Sequence, residues 1–114
     1  MQKPEYPQLK TFFKVYFPPF WTEIYIWDET EPNYQMIIQL YVRESTEAEL
    51  LLAIKELERL LDHQYSEADL DKIAGLLGLN LYLPGMDIRY KDWLEEVLNV
   101  LKNSLQSESD NQDN

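Results

Sequence analysis

The stretch Tyr6-Pro7-Gln8-Leu9-Lys10-Thr11-Phe12-Phe13-Lys14-Val15-Tyr16-Phe17, followed by Trp21, constrains this chain more than any other. Leu9, Phe12, Phe13, Tyr16 and Phe17 recur at helical spacing, so successive turns present four rings and a leucine to one side, with Lys10 and Lys14 on the other. Pro7 suits the first turn, where its missing N–H is not needed. Pro18-Pro19 ends the helix, because proline has no N–H for an interior bond. A helix with so wide an aromatic face needs a deep apolar core to pack into. The stripe therefore reads as packing, as does Tyr90-x-x-Trp93-Leu94 near the other end.

Further helices supply that core. Pro32 is expected to open a second helix carrying Tyr34, Ile37, Ile38, Tyr41 and Val42 on one face. Thr46-x-x-Glu49 is a capping box. The helix it opens should bury Leu50, Ile54, Leu57 and Leu61 and turn Glu56, Glu58 and Arg59 to water. Ser66 can cap a fourth helix with Leu70, Ile73, Ala74 and Leu77 inward, ended by Gly78 in the left-handed conformation. Leu79 to Pro84 reads as extended and Pro84-Gly85 as a turn. A last helix, from about Asp87 or Tyr90, carries Tyr90, Trp93, Leu94, Val97, Leu101 and Leu105. Between the first two helices, Phe20 to Glu29 reads as extended or irregular: Ile24, Tyr25, Ile26 and Trp27 have strand-like propensity, but no second strong strand exists to pair with them. The expected fold is all-α, a compact bundle of about five helices in one domain over residues 1–105. An irregular aromatic and acidic loop follows the first helix. Residues 106–114, polar and without an apolar side chain, are expected to form a disordered acidic tail.

A chain of 114 residues can bury about two-thirds of its unfolded surface without staples. It has no cysteine, so neither a disulfide nor a thiolate metal site is available. His63, the only histidine, follows a helix C-terminus, where an imidazole favours the helix dipole or bonds a carbonyl. Glu95-Glu96, Asp69-x-Asp71 and Glu56-x-Glu58 fall on expected outer helix faces, where charge is simply solvated. A hydrolase using paired carboxylates would need a deep cleft with perturbed acids. The glycines form no phosphate-binding loop or dinucleotide pattern. No catalytic residue, metal site or cofactor is expected, and the reading is of a protein that is not an enzyme. No basic stretch followed by an apolar run opens the sequence, and no run approaches the ~20 apolar residues that span a bilayer. A cytoplasmic protein without membrane contact is the expectation.

Charge points to a partner. Twenty-one acids against ten bases give a formal net charge of −11, which argues against direct nucleic-acid binding, since phosphates need a basic face. An acidic domain suits a basic protein, whose approach it steers; equally, acids keep a small helical protein soluble. The segment Glu23 to Glu31 differs from the rest in carrying Glu23, Asp28, Glu29 and Glu31, with no base, interleaved with Tyr25 and Trp27. Rings supply buried area at an interface and carboxylates pair with arginine or lysine. Alternatively, Tyr25 and Trp27 fold back onto the bundle and the acids line a loop. A second candidate surface is the turn around Glu44, Glu47 and Glu49.

As a whole, Tyr6-Pro7-x-Leu9-x-x-Phe12-Phe13-x-x-Tyr16-Phe17 and Trp21 resemble the opening of the CdiI-type immunity proteins of bacterial contact-dependent growth inhibition systems. The later segments are similar too: Glu56-Leu57-x-x-Leu60-Leu61, Ser66-Glu67-x-Asp69-Leu70, Leu79-x-x-Tyr82-x-Pro84 and Tyr90-x-x-Trp93-Leu94. The likeness covers roughly residues 6 to 105. It departs at Pro18-Pro19-Phe20, beside Trp21, where a more polar stretch is expected. The resemblance implies a stoichiometric inhibitor that binds the toxic C-terminal domain of a large cell-surface exoprotein, many of which are nucleases with basic surfaces. It implies a monomer, or a 1:1 heterodimer with the toxin. The matched positions are aromatic and leucine residues of the expected core, so they carry fold and family and do not locate an interface. The alternative is an acidic helical adaptor or regulatory module for another basic protein.

Overall fold

In a computed structural model of the chain, residues 6–24 and 33–112 are described, with side chains described for 6–23 and 33–106. Among them are six α-helices: α1 (Pro7–Tyr16), α2 (Trp21–Ile24), α3 (Tyr34–Glu44), α4 (Glu47–Asp62), α5 (Glu67–Leu76) and α6 (Tyr90–Gln112). A 3-10 turn, Leu83–Met86, precedes α6. The described part of the chain is an all-helical bundle, as the sequence led one to expect.

The aromatic stripe of α1 is its centre. Leu9, Phe12, Phe13 and Phe17 are fully buried, and Lys10 and Lys14 face solvent. Phe12 stacks on Tyr41 of α3 at 3.9 Å. Phe13 and Phe17 meet Trp93 of α6, at 5.7 and 5.9 Å between ring centroids. Helix α4 closes the core with Leu50, Ala53, Ile54, Leu57 and Leu60, packing most extensively against α6. Leu60 is the buried residue in the last turn of α4, and Leu61, expected inside, is half-buried at its border, as is Ile73 in α5.

One acid overturns its expected placement. Glu56, expected to face water, is 7% exposed. Its carboxylate accepts the backbone N–H groups of Gln8, at 3.1 Å, and Leu9, at 2.9 Å. The reason lies in α1, whose preceding residue, Tyr6, supplies no side-chain cap. The first N–H groups of any helix lack intrahelical acceptors, and the positive end of the dipole attracts an anion. Glu56 shares the buried stripe of Ala53, Leu57 and Leu60, which aims it at that end of α1. Helix α6 starts the same way: Glu67, in the first turn of α5, accepts from Tyr90 N at 2.7 Å and Lys91 N at 3.0 Å. Two helices are thus capped by carboxylates from other helices.

The remaining ends are local. The Thr46–Glu49 capping box forms with both bonds in place, at 3.1 and 2.8 Å. Ser66 Oγ accepts from Asp69 N at 3.1 Å. Asn33 caps α3 by accepting from Gln35 N at 2.7 Å, whereas Pro32, expected to open that helix, lies outside the described residues. Gly78 ends α5 with φ +92°. A Cβ there would stand 3.2 Å from that of Lys14, so the glycine also allows α1 to approach.

Two expected boundaries move. Trp21–Ile24 is one helical turn where extended or irregular chain is expected, because Trp21 is drawn onto the core; residues 25–29 of that segment lie outside the described set. Helix α6 runs past Leu105 to Gln112. The disordered tail is expected over residues 106–114; the backbone of 106–112 instead continues the helix, while the side chains from 107 onward and residues 113–114 lie outside the described set.

Candidate functional site

Neither of two clefts on the described surface presents a pair of unengaged acids. One, of about 480 Å³, lies where α4, α5 and the start of α6 meet and is lined by Leu60, Tyr65, Glu67, Arg89 and Lys91 among others. Its carboxylate, Glu67, already caps α6. The other, of about 230 Å³, lies between α3 and α6 over Ile38, Gln39 and Val100. Its carboxylate, Glu96, accepts from Tyr34 Oη at 2.8 Å and Gln35 Nε2 at 3.3 Å. Glu96 was expected on a solvated outer face; it is half-buried, because Tyr34 needs an acceptor where α3 leans on α6. Asp71, also expected to be merely solvated, accepts from Tyr90 Oη at 2.9 Å.

These acceptors leave a mark on the phenols. Burial, reinforced by the hydrogen bond to Glu96, pushes the Tyr34 hydroxyl up to about 12. Burial, then Asp71, does the same to Tyr90, also to about 12. Tyr41 is raised by burial as well, although the Gln8 amide bonded to its oxygen at 3.0 Å pulls the other way. Trp93 is fully buried, and its Nε1–H meets no acceptor among the described residues. Among those residues no group of three or more histidines, aspartates or glutamates is placed to hold a metal ion. No described helix is long and apolar enough to cross a membrane. His63 caps the C-terminus of α4, exposed and stacked on Tyr65 at 5.1 Å.

The expected interface residues divide into two groups. Tyr25, Trp27, Asp28, Glu29 and Glu31 lie outside the described residues. Glu23, Glu44 and Glu47 are described, and all three are exposed. Glu23 sits on α2, and Glu44 and Glu47 flank the short turn between α3 and α4. Glu44 accepts from Tyr16 Oη at 2.6 Å, which ties it to the last turn of α1. Glu49 is committed to its capping box. Helix α2 is held at the same end of α1: Phe17 O accepts from both Asn80 N (3.2 Å) and Asn80 Nδ2 (3.0 Å), and Asn80 O accepts the Trp21 indole N–H at 3.0 Å. Glu23 and Glu44, distant in sequence, thus both belong to segments tied to the C-terminal end of α1. Sequence reasoning placed Phe20 in the Pro18-Pro19-Phe20 departure and at the start of the irregular segment, and not among the site residues; it stands exposed at φ +61°. The signal available was the Pro18-Pro19 pair, which fixes the direction in which the chain leaves α1.

The described part is thus a small acidic helical bundle in which several carboxylates are spent on the fold's own helix starts and tyrosines. The family model described as CdiI immunity protein matches residues 5–101. The chain belongs to that family, the immunity proteins of contact-dependent growth inhibition, which are non-catalytic binding proteins. Membership carries with it an immunity function and binding of a cognate toxin. No curated protein and no solved structure matches the chain.

Proposed function

We propose that this immunity protein neutralises the toxic C-terminal domain of its cognate exoprotein by direct one-to-one binding in the cytoplasm, and that the toxin is a nuclease with a basic substrate-binding surface. The observation that carries this is the charge: 21 acids against 10 bases in a family of toxin inhibitors. A nuclease must hold phosphates with lysine and arginine, and carboxylates can occupy the same sites. Glu23, Tyr25, Trp27, Asp28, Glu29 and Glu31 contribute one part of the binding face, and Glu44 and Glu47 the other. Support for joining them is that Glu23 and Glu44 both belong to segments tied to the end of α1.

The test is co-expression with the C-terminal domain of the exoprotein encoded alongside this chain, followed by purification of the complex at low and high salt. Expected are growth rescue, a complex weakened by salt, and loss of nucleic-acid cleavage by the purified toxin at one equivalent of this protein. No rescue and no complex would overturn toxin binding. Rescue from a toxin that cleaves no nucleic acid would overturn the nuclease part alone.

A further inference from the structure

Phe20 is the most exposed large apolar side chain among the described residues, at 74%. It also holds φ +61°, a left-handed conformation that crowds its Cβ against the following carbonyl. A bulky aromatic residue is among the least suited to that region, and this one recovers nothing by burial. What surrounds it is rigid. Pro18-Pro19 precedes it, and Glu23 N closes the turn on Phe20 O at 2.9 Å. Trp21, next in the chain, is 9% exposed, with its ring edge-on to Phe17 at 5.6 Å and its N–H on Asn80. Strain that the surroundings over-determine is found where a residue serves something outside its own fold.

The neighbourhood describes the partner. Leu76 and Tyr82, 71% and 70% exposed, stand two residues to either side of Gly78 and Asn80, which carry the contacts to Lys14 and Phe17. Leu76 and Tyr82 thus flank, in the chain, the Gly78–Asn80 segment that packs on the end of α1 from which Phe20 follows. Glu23, exposed and accepting no hydrogen bond among the described residues, follows one turn later. Lys14, packed against Gly78, brings a charge to the same end of α1.

We propose that Phe20 is a preformed aromatic anchor that enters an apolar pocket on the toxin domain, with Glu23, one turn on, meeting a lysine or arginine at the pocket's rim. The proposal rests on the toxin-binding reading above. Binding energy at such surfaces concentrates in a few rigid aromatic residues ringed by polar ones, and an anchor already fixed loses little freedom on binding.

Two substitutions separate the anchor from a merely structural role. Phe20→Ala keeps a Cβ and should leave the melting temperature within about two degrees, since the ring is exposed. It should weaken toxin binding at least ~30-fold, the change a central interface residue makes. Phe20→Gly relieves the backbone and should raise the melting temperature slightly while losing affinity to the same extent. Stability and affinity moving in opposite directions is the expected signature. Wild-type protein that binds the toxin while both variants bind within threefold of it would overturn the anchor and leave the toxin-binding reading standing. Wild-type protein that binds no toxin would remove both. A concentration-dependent self-association that Phe20→Ala abolishes, with toxin binding unaffected, would assign Phe20 to a second copy of this chain and overturn the proposal.

Discussion

Glu56→Ala should destabilise this protein more than any other substitution of an acid in its described part. The carboxylate holds two N–H donors at the start of α1, one of them, on Leu9, in a buried bond. Hydrogen bonds to charged groups contribute about 1.5–3 kcal/mol each, and a buried donor left without an acceptor costs a further ~1–3 kcal/mol. The Gln8 donor is part-buried, so water can take over some of the loss there. Removing the anion from the positive end of the helix adds about 0.3–1 kcal/mol. These overlap, and about 3 kcal/mol is a reasonable net, against a total stability of ~5–15 kcal/mol for a domain of this kind. At roughly 4 °C per kcal/mol for this chain length, the melting temperature should fall by about 12 °C. The internal control is Glu58→Ala, two residues along the same helix. Glu58 pairs with Lys102 at 2.9 Å, with the two side chains 48% and 44% exposed. An exposed pair contributes little, so that loss should stay within ~0.5 kcal/mol. Glu56→Gln, which retains one acceptor oxygen but no charge, should fall between. Urea denaturation of the three variants, with unchanged m-values, decides it. If Glu56→Ala cost no more than Glu58→Ala, capping between helices would not be what holds α1 in place.

Three further outcomes follow from the geometry. Because Tyr34 and Tyr90 keep their protons in the folded state up to about pH 12 while an unfolded tyrosine ionises near pH 10, stability should be flat below about pH 10. It should then fall as pH rises toward 12; urea midpoints across that range check it, and a Tyr34→Phe, Tyr90→Phe double variant should show a shallower loss. Gly78→Ala, which forces a Cβ onto a φ of +92° and to within 3.2 Å of Lys14, should cost about 2 kcal/mol by thermal denaturation. Changing Glu23, Glu44 and Glu47 together to lysine should slow association with the toxin at least tenfold at low salt, and much less at high salt, by stopped-flow kinetics.

Much of this fold is legible in the sequence because its core obeys helical period. The α1 stripe, the Thr46 and Ser66 caps, the Gly78 ending and the buried face of α6 are all local patterns, each decided within a few residues. The failures are tertiary. Glu56 occupies a position that periodicity leaves at the edge of an apolar stripe, and an acid there reads as solvated. Nothing nearby in sequence reveals that an uncapped helix start, 47 and 48 residues away, is waiting for it. Glu96 and Asp71 fail in the same manner, each claimed by a tyrosine from another helix. Helix α2 was missed because strand propensity describes Ile24 alone, whereas burial of Trp21 decides the turn.

The same acids bear on how an interface should be sought. A net charge of −11 invites the inference that any acidic cluster faces a partner, yet the described carboxylates divide into two kinds. Glu49, Glu56 and Glu67 hold helix starts, and Glu44, Asp71 and Glu96 hold tyrosine hydroxyls. Recruiting one of the buried or half-buried members of that set to a toxin would leave a donor of the fold unsatisfied, so it is poorly placed to discriminate partners. Glu23 and Glu47 accept no hydrogen bond among the described residues and stay exposed, as do Asp62, Asp69, Asp87, Asp92 and Glu95. Charge that the fold does not use is the charge a partner can read, and of that set Glu23 lies one turn after the strained backbone of Phe20 and Glu47 across the turn from Glu44. Sequence counting gives every acid the same weight; only the donors, which come from elsewhere in the chain, tell the two kinds apart.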